Sequence, residues 1–171
     1  MAEHAAVVYD LDGTLIDLDV DWAAVTAAAR SRYEQAGVPP PGDLWAMLAA
    51  AEDHGVGEDV RLVIRTHECR GARTSDLLVA PEDLEQHVVP VAVCSLNCER
   101  ACRIALETHG LADAVTAVVG RDTVEPPKPD PAPLVAIADW FDIDPESMLF
   151  VGDSRRDARA ASAAGVTFRW V

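Results

Sequence analysis

The stretch Val7-Val8-Tyr9-Asp10-Leu11-Asp12-Gly13-Thr14-Leu15 decides the fold. Its apolar run reads as a buried strand that ends in two carboxylates separated by one residue, and open α/β sheets place their ligands at that end of their strands. Gly13 lets the chain turn sharply there and bring backbone N–H groups close to an anion.

Beyond Leu15 the apolar period becomes helical. Asp21 is placed to cap a helix whose Trp22, Val25, Ala29 and Tyr33 share one face until Gly37. Pro39-Pro40-Pro41-Gly42 is a stiff connector, and Asp43 can cap a second helix through Leu44, Met47, Leu48 and Ala51, ending near Gly55. A third segment over residues 58–70 puts Val60, Val63, Ile64 and His67 on one side, with Gly71 as the stop. No strand-like alternation occurs before residue 88. Residues 17–75 are therefore expected to form a small all-helical cap inserted after the first strand, and residues 1–16 and 76–171 the core.

Within that core, Pro81, Glu82 and Asp83 suggest a short helix ending near His87. Residues 88–95 read as the second strand, starting near Val91 because Pro90 cannot sit inside a ladder. A helix over 98–109 and a strand over 116–120 follow. The proline-rich residues 125–131 form a rigid loop, with Asp130 able to cap and Pro131 to open the next helix, through Leu134, Ile137 and Phe141. A strand over 148–153, a helix over 154–164 stopped by Gly165, and a last strand over 166–171 complete the chain. Such alternation predicts right-handed crossovers and an α/β fold: a Rossmann-like parallel sheet of about five strands with helices on both faces.

The 171 residues have room for one core and a small insertion. With 29 acidic against 14 basic residues the formal net charge is −15, which argues against a nucleic-acid or membrane-surface partner. Thirteen of the basic residues are arginine and one, Lys128, is lysine. An acid excess with lysine avoidance predicts a salt-adapted protein of a halophilic archaeon, because concentrated salt screens the self-repulsion of such a surface. No charged leader precedes an apolar segment and no apolar run reaches the roughly 18 residues that span a bilayer, so a cytoplasmic location is expected. Cys94 falls in a strand and Cys98 and Cys102 on one helix face; with Cys69, they read as free thiols acting as small hydrophobes rather than metal ligands.

Four groups of polar residues fall at carboxyl ends of the expected strands or just beyond: Asp10 with Asp12, Ser95 with Asn97, Lys128, and Asp153 with Asp157. In a parallel sheet those ends share one edge. Asp10, Asp12 and Asp153 offer hard anionic oxygens suited to Mg2+. Lys128, retained in a chain that otherwise avoids lysine, suits placing a compact ammonium against a transferring phosphoryl group.

These stretches, in this order, resemble the haloacid dehalogenase superfamily on its phosphoglycolate-phosphatase-like side. The matching motifs are Asp10-Leu11-Asp12-Gly13-Thr14, a strand ending in Ser95, Lys128 before Pro129, and Gly152-Asp153-Ser154-Arg155-Arg156-Asp157. The resemblance implies a Mg2+-dependent phosphomonoester hydrolase acting on a small phosphorylated metabolite, as a monomer or homodimer. It implies that Asp10 attacks phosphorus to give an aspartyl-phosphate and also binds the metal. Asp12 would protonate the leaving alcohol, later activate water, and offer the metal its backbone carbonyl. Gly13, Ser95, Asn97 and Lys128 would bind the phosphate, Asn97 near the leaving group, and Asp153 would complete the metal site. Asp157 would hold Lys128 or a metal-bound water. An acid at Asp12 favours phosphate chemistry over carbon–halogen cleavage.

Two alternatives stand beside this reading. A phosphomutase of the same superfamily needs sugar-phosphate recognition in the cap, where the sequence offers only Arg61, Arg65, Arg70 and Arg73, expected to pair with neighbouring acids. An inert regulatory or interaction module is argued against by the intact acids and Lys128. The chain departs from the family pattern in its short cap, its abbreviated helix before the second strand, and its end at Val171 without a further strand and helix. A more open site and a broad or larger substrate are the expected consequence.

Overall fold

The computed structural model describes residues 4–79 and 81–171. In chain order β1 (Ala6–Tyr9) and a short β2 (Ile16–Asp17) lead into α1 (Trp22–Gln35), α2 (Leu44–Ala50) and α3 (Gly57–Gly71). Next come β3 (Asp76–Leu77), α4 (Pro81–Glu85), β4 (Val91–Cys94), α5 (Glu99–Thr108) and β5 (Ala117–Val119). The chain closes with α6 (Ala132–Phe141), β6 (Met148–Gly152), α7 (Arg155–Ala164) and β7 (Thr167–Trp170).

Strand β1 lies in the middle of a five-stranded sheet of order β5-β4-β1-β6-β7, every pairing of which is parallel. Val8 pairs in register with Ala92 on one side and Phe150 on the other. Both faces are covered, which is why the strands read as continuous apolar runs. Val7, Val93, Val118 and Val151 pack under Ala101, Cys102, Ala105 and Leu106 of α5. Val8, Ala92, Val119 and Phe150 pack on the other face under Leu134 and Ile137 of α6 and Ala160 and Ala161 of α7. The small residues of α5 and α7 let helix and sheet approach closely. The Rossmann-like α/β sheet is therefore as the alternation implied.

Helices α1, α2 and α3 enclose a hydrophobic cluster of their own, built from Val25, Ala29, Tyr33, Leu44, Met47, Val60 and Ile64. Asp21 caps α1 by accepting from Ala24 N at 3.0 Å, and Asp43 caps α2 by accepting from Ala46 N at 2.9 Å. The Tyr33 hydroxyl donates to Met47 O at 2.6 Å and ties α1 to α2.

Four local expectations are corrected. The insertion is bounded by strands as well as filled by helices: β2 pairs antiparallel with β3, Ile16 opposite Leu77 and Asp17 opposite Asp76. Two-residue strands are too short to show an alternation. Gly71 is the last residue of α3 rather than its stop, and Ala72 follows in right-handed helical conformation. What Gly71 permits is a close approach, since a Cβ there would lie 2.5 Å from the carbonyl oxygen of Asp19. Asp130 stands one residue before the cap position of α6, which Pro131 holds, but its side chain still satisfies the first N–H of the helix by accepting from Ala132 N at 2.9 Å. The four cysteines are free and buried, but Cys98 is more than filler, because its Sγ accepts from Ala101 N at 3.4 Å as the N-cap of α5. Among the described residues no helix is long and apolar enough to cross a membrane.

Candidate active site

The site begins where β1 ends. Asp10 N still donates to Val151 O at 2.9 Å, so the residue is fixed to the sheet, and its side chain is buried. Both hydrogen bonds of that carboxylate fall on Oδ1, from Leu11 N at 2.8 Å and Lys128 Nζ at 3.0 Å. Oδ2 takes no hydrogen bond among the described residues and is not sealed from solvent. Burial pushes the Asp10 carboxyl up to about 7, with Lys128 pulling it down and Asp157 adding to the rise.

Leu11 O collects the N–H groups of Thr14, Leu15 and Ile16, which folds the chain into a tight turn with Gly13 at φ +82°. The Gly13 N–H is itself taken by Ile16 O at 2.9 Å, whereas the Asp12 N–H has no acceptor among the described residues. Gly13 matters for room: a Cβ there would run into the Asp153 carboxylate. Asp12 is half-buried and accepts from Leu18 N at 3.0 Å. Its carboxyl is held above the ordinary range by burial, against which the Leu18 N–H works.

Lys128 reaches the site from the proline loop and is 4% exposed. Its ammonium donates to Asp10 Oδ1, to Cys94 O at 2.8 Å and to Asp157 Oδ1, and lies 5.3 Å from the centre of the Phe150 ring. Burial opposes that charge, but Asp10, Cys94 and Asp157 outweigh it, and its pKa is raised, so the lysine stays an ammonium. Its three N–H groups are all engaged within the protein.

Asp157 stands in the first turn of α7, where its Oδ2 accepts from Ser154 N at 3.1 Å and Ser154 Oγ at 2.5 Å in a capping box. Asp153, just past β6, is exposed, and partial burial and Asp157 raise its pKa against the pull of Lys128. Asp10, Asp153 and Asp157 each offer an oxygen, all within 4.8 Å of one another. Both oxygens of Asp157 are already bonded, so Asp10 and Asp153 are the carboxylates with free coordinating capacity. The donor set is oxygen alone, which fits a hard divalent cation such as Mg2+.

Ser95 follows β4, and its Oγ donates to Asn97 Oδ1 at 2.9 Å. Asn97 in turn donates from Nδ2 to Glu68 Oε1 at 3.3 Å. The expected site residues Asp10, Asp12, Ser95, Asn97 and Asp153 line one cavity of about 260 Å³, with Lys128 and Asp157 beneath it. Its remaining walls are Trp22 and Trp45 of the helical insertion, with Leu96, Ser154 and Arg156. The two indole rings lie 6.0 Å apart, and the Arg156 guanidinium sits 5.5 Å over the Trp45 ring. A larger groove of about 520 Å³ lies away from these acids, where Arg73, Arg100 and Arg103 interleave with Glu99, Glu107 and Asp122.

Glu68, Arg121 and Trp45 escape a motif-based reading, and Arg156 falls inside the fourth motif without a role assigned to it. Glu68 is fully buried and forms a bidentate pair with Arg121 at 2.8 and 3.0 Å. A signal existed: Glu68 continues the Val60, Ile64 stripe at four-residue spacing, and an acid on an apolar stripe calls for a partner.

A sequence profile described as haloacid dehalogenase-like hydrolase matches residues 73–171. The chain is 32% identical to phosphoglycolate phosphatase 1 of Pseudomonas aeruginosa, over 94% of this chain and 66% of that protein. It is 33% identical to the phosphoglycolate phosphatase of Neisseria meningitidis serogroup A, over 95% of this chain and 78% of that one. The chain thus spans about two thirds of the length of the Pseudomonas protein and more of the Neisseria one. Its fold is also that of a haloacid dehalogenase-superfamily hydrolase from Geobacter sulfurreducens, with a TM-score of 0.66 at 26% identity, covering 96% of this chain and 88% of that one.

Proposed function

The chain belongs to the haloacid dehalogenase-like hydrolases, and from that premise we propose that it is a Mg2+-dependent phosphomonoester hydrolase working through an aspartyl-phosphate on Asp10. The observation that carries this reading is the asymmetry of Asp10. Oδ1 is tied to Lys128 and Leu11 N, while Oδ2 is unbonded at the cavity.

In the first step Asp10 Oδ2 attacks phosphorus, the bond from phosphorus to the ester oxygen breaks, and Asp12 gives that oxygen its proton. Burial of Asp12 favours the protonated acid the step requires. In the second step Asp12, now a carboxylate, takes a proton from water whose oxygen attacks phosphorus, releasing inorganic phosphate and the Asp10 carboxylate. Lys128 acts as a fixed positive charge beneath the reacting carboxylate, since its donors are spent on Asp10, Cys94 and Asp157. The Asp12 N–H, which has no acceptor among the described residues, is a donor for the phosphoryl oxygens, and the Ser95 hydroxyl becomes a second by exchanging its bond to Asn97 Oδ1 for one to phosphate, while the Gly13 N–H stays on Ile16 O. The carboxylate of Asp153, the backbone carbonyl of Asp12 and the Asp10 oxygen that does not attack phosphorus would hold Mg2+. That ion supplies positive charge to the phosphoryl oxygens as a Lewis acid.

Helices α1 to α3 act as the cap, and Trp22 and Trp45 bring it to the cavity. A space of about 260 Å³ suits a phosphoryl group and a compact leaving group. Arg156 at its wall suits a leaving group with a second anion, as in phosphoglycolate, on which the named relatives act. A mutase is less favoured, because none of Arg61, Arg65, Arg70 and Arg73 lines the cavity, although among the described residues only Arg61 pairs with acids, Glu52 and Glu58, as expected, and Arg73 donates to Cys69 O instead. The acidic, lysine-poor composition supports salt adaptation: folding and activity in molar KCl that are lost on removing salt, with unchanged behaviour overturning it.

Turnover of a phosphomonoester panel including phosphoglycolate, with Mg2+ and in molar KCl, tests the function. Activity abolished by Asp10→Asn supports it, and no turnover across the panel overturns it.

A further inference from the structure

We infer that Glu68, near the end of α3, is a positioning residue that orients Asn97, and through it the Ser95 hydroxyl, so that docking of the helical insertion and setting of the phosphate-binding loop are one event. The inference rests on the reading of Ser95 as a phosphoryl-binding group.

The loop of residues 95–98 joins β4 to α5, and two residues hold its polar groups. Arg121, just after β5, donates from Nη1 to Leu96 O at 2.6 Å and from its backbone N to Asn97 O at 2.9 Å. Glu68 accepts from Asn97 Nδ2 at 3.3 Å and from Cys98 N at 3.1 Å. The two are locked to each other as a bidentate pair, with side chains 0% and 11% exposed for Glu68 and Arg121.

Chemistry then fixes the Asn97 amide. A carboxylate accepts and does not donate, so Nδ2 must face Glu68, and Oδ1 is turned to Ser95 to take its proton at 2.9 Å. Ser95 Oγ also accepts from Asn97 N at 3.2 Å, so the hydroxyl has one orientation. Its O–H turns to donate a hydrogen bond to a phosphoryl oxygen when that stronger, charged acceptor arrives. Lifting α3 away would part the buried Glu68 carboxylate from Arg121, Asn97 and Cys98, leave the guanidinium with Leu96 O alone, and free the Asn97 amide to flip. The insertion and the loop therefore move together or not at all.

The test compares Glu68→Gln, Asn97→Ala and the double variant by kinetics on phosphoglycolate with Mg2+. It adds ¹⁵N NMR of the Asn97 side-chain amide in the resting protein and during titration with inorganic phosphate. Glutamine can offer its own NH2 to Asn97 and so permits the flipped amide. Glu68→Gln is expected to lower kcat/KM about tenfold or more, and by less than about twofold in the Asn97→Ala background, because Glu68 acts through Asn97. The Asn97 amide signals should shift and lose exchange protection in Glu68→Gln, and the affinity for phosphate should fall. If Glu68→Gln folds poorly, Glu68→Gln with Arg121→Met removes both charges and keeps the measurement possible. Equal losses in both backgrounds, or Asn97 signals unchanged by the substitution, overturn the inference. If the wild type hydrolyses no ester, the proposed function fails, while the amide signals and phosphate titration still decide this one.

Discussion

Lys128 Nζ lies 3.0 Å from Asp10 Oδ1 and donates as well to Asp157 Oδ1, so one ammonium joins the acid at the end of β1 to the acid in the first turn of α7. With Cys94 O as third acceptor at 2.8 Å, the lysine organises the floor of the site as well as charging it. Lys128→Met is expected to abolish turnover and to destabilise the fold by about 3–5 kcal/mol, because two buried carboxylates lose their counter-charge. Urea unfolding at neutral pH measures this, and a loss under about 1 kcal/mol would show that the lysine is not the structural tie described.

Asp12 is expected to matter in proportion to the leaving group's need for a proton. Asp12→Asn should lower kcat by roughly 10²–10⁴ for an alkyl phosphate, and by clearly less for an aryl phosphate whose phenolate leaves unaided. Equal losses on the two esters would remove Asp12 from the role of acid.

The guanidinium of Arg156, 5.5 Å over Trp45, lines the cavity beside the two tryptophans of the insertion, where the proposed reading puts the leaving group. Arg156→Gln should lower the ratio of kcat/KM for phosphoglycolate to that for ethyl phosphate by about tenfold, the size of one charge-assisted contact. Steady-state kinetics on the two esters reads the ratio directly, and an unchanged ratio rules out recognition of a second anion at this place.

A pH dependence unrelated to catalysis is built into the Tyr9–His87 contact, in which the hydroxyl and Nε2 are 2.8 Å apart. Burial, and then the nearby Arg169, lower the His87 pKa below its ordinary 6.5, so the folded state disfavours the protonated ring. The unfolded chain takes up the proton first as pH falls. Stability from this group is thus full above about 6.5 and is lost as pH drops through the lowered folded value. Urea midpoints between pH 7.5 and 5 should fall less steeply for His87→Gln than for the wild type, and parallel slopes would dismiss the contribution.

Legibility differed by element. The strands carrying Val8, Ala92 and Phe150 are buried on both faces, and an apolar run bounded by polar residues is visible without a structure. The positions of Asp10, Ser95 and Asp153 follow because strand ends are local features and a parallel sheet puts them on one edge, whereas Lys128 is delivered by the proline loop between β5 and α6. The β2–β3 ribbon is two residues a side and leaves no periodicity to read. Gly71 looked like a helix stop because glycine serves both that purpose and close approach, and only the neighbouring Asp19 carbonyl separates the two.

By itself the sequence determined the alternation of strands and helices, the face each apolar residue would seek, and which acids a metal and a phosphoryl group could meet. Those depend on neighbours along the chain, through periodicity, capping and the fixed geometry of a strand end. Only the tertiary structure decided how each polar atom is spent. It assigned the donors of Lys128 to three protein acceptors, closed the N–H of Gly13 and left that of Asp12 open. It also brought Glu68 to Arg121 across 53 positions of sequence. The opening stretch named two acids, and packing made them different: a hydrogen bond satisfies an atom only when its partner is near in space, and that proximity is settled by the folded core.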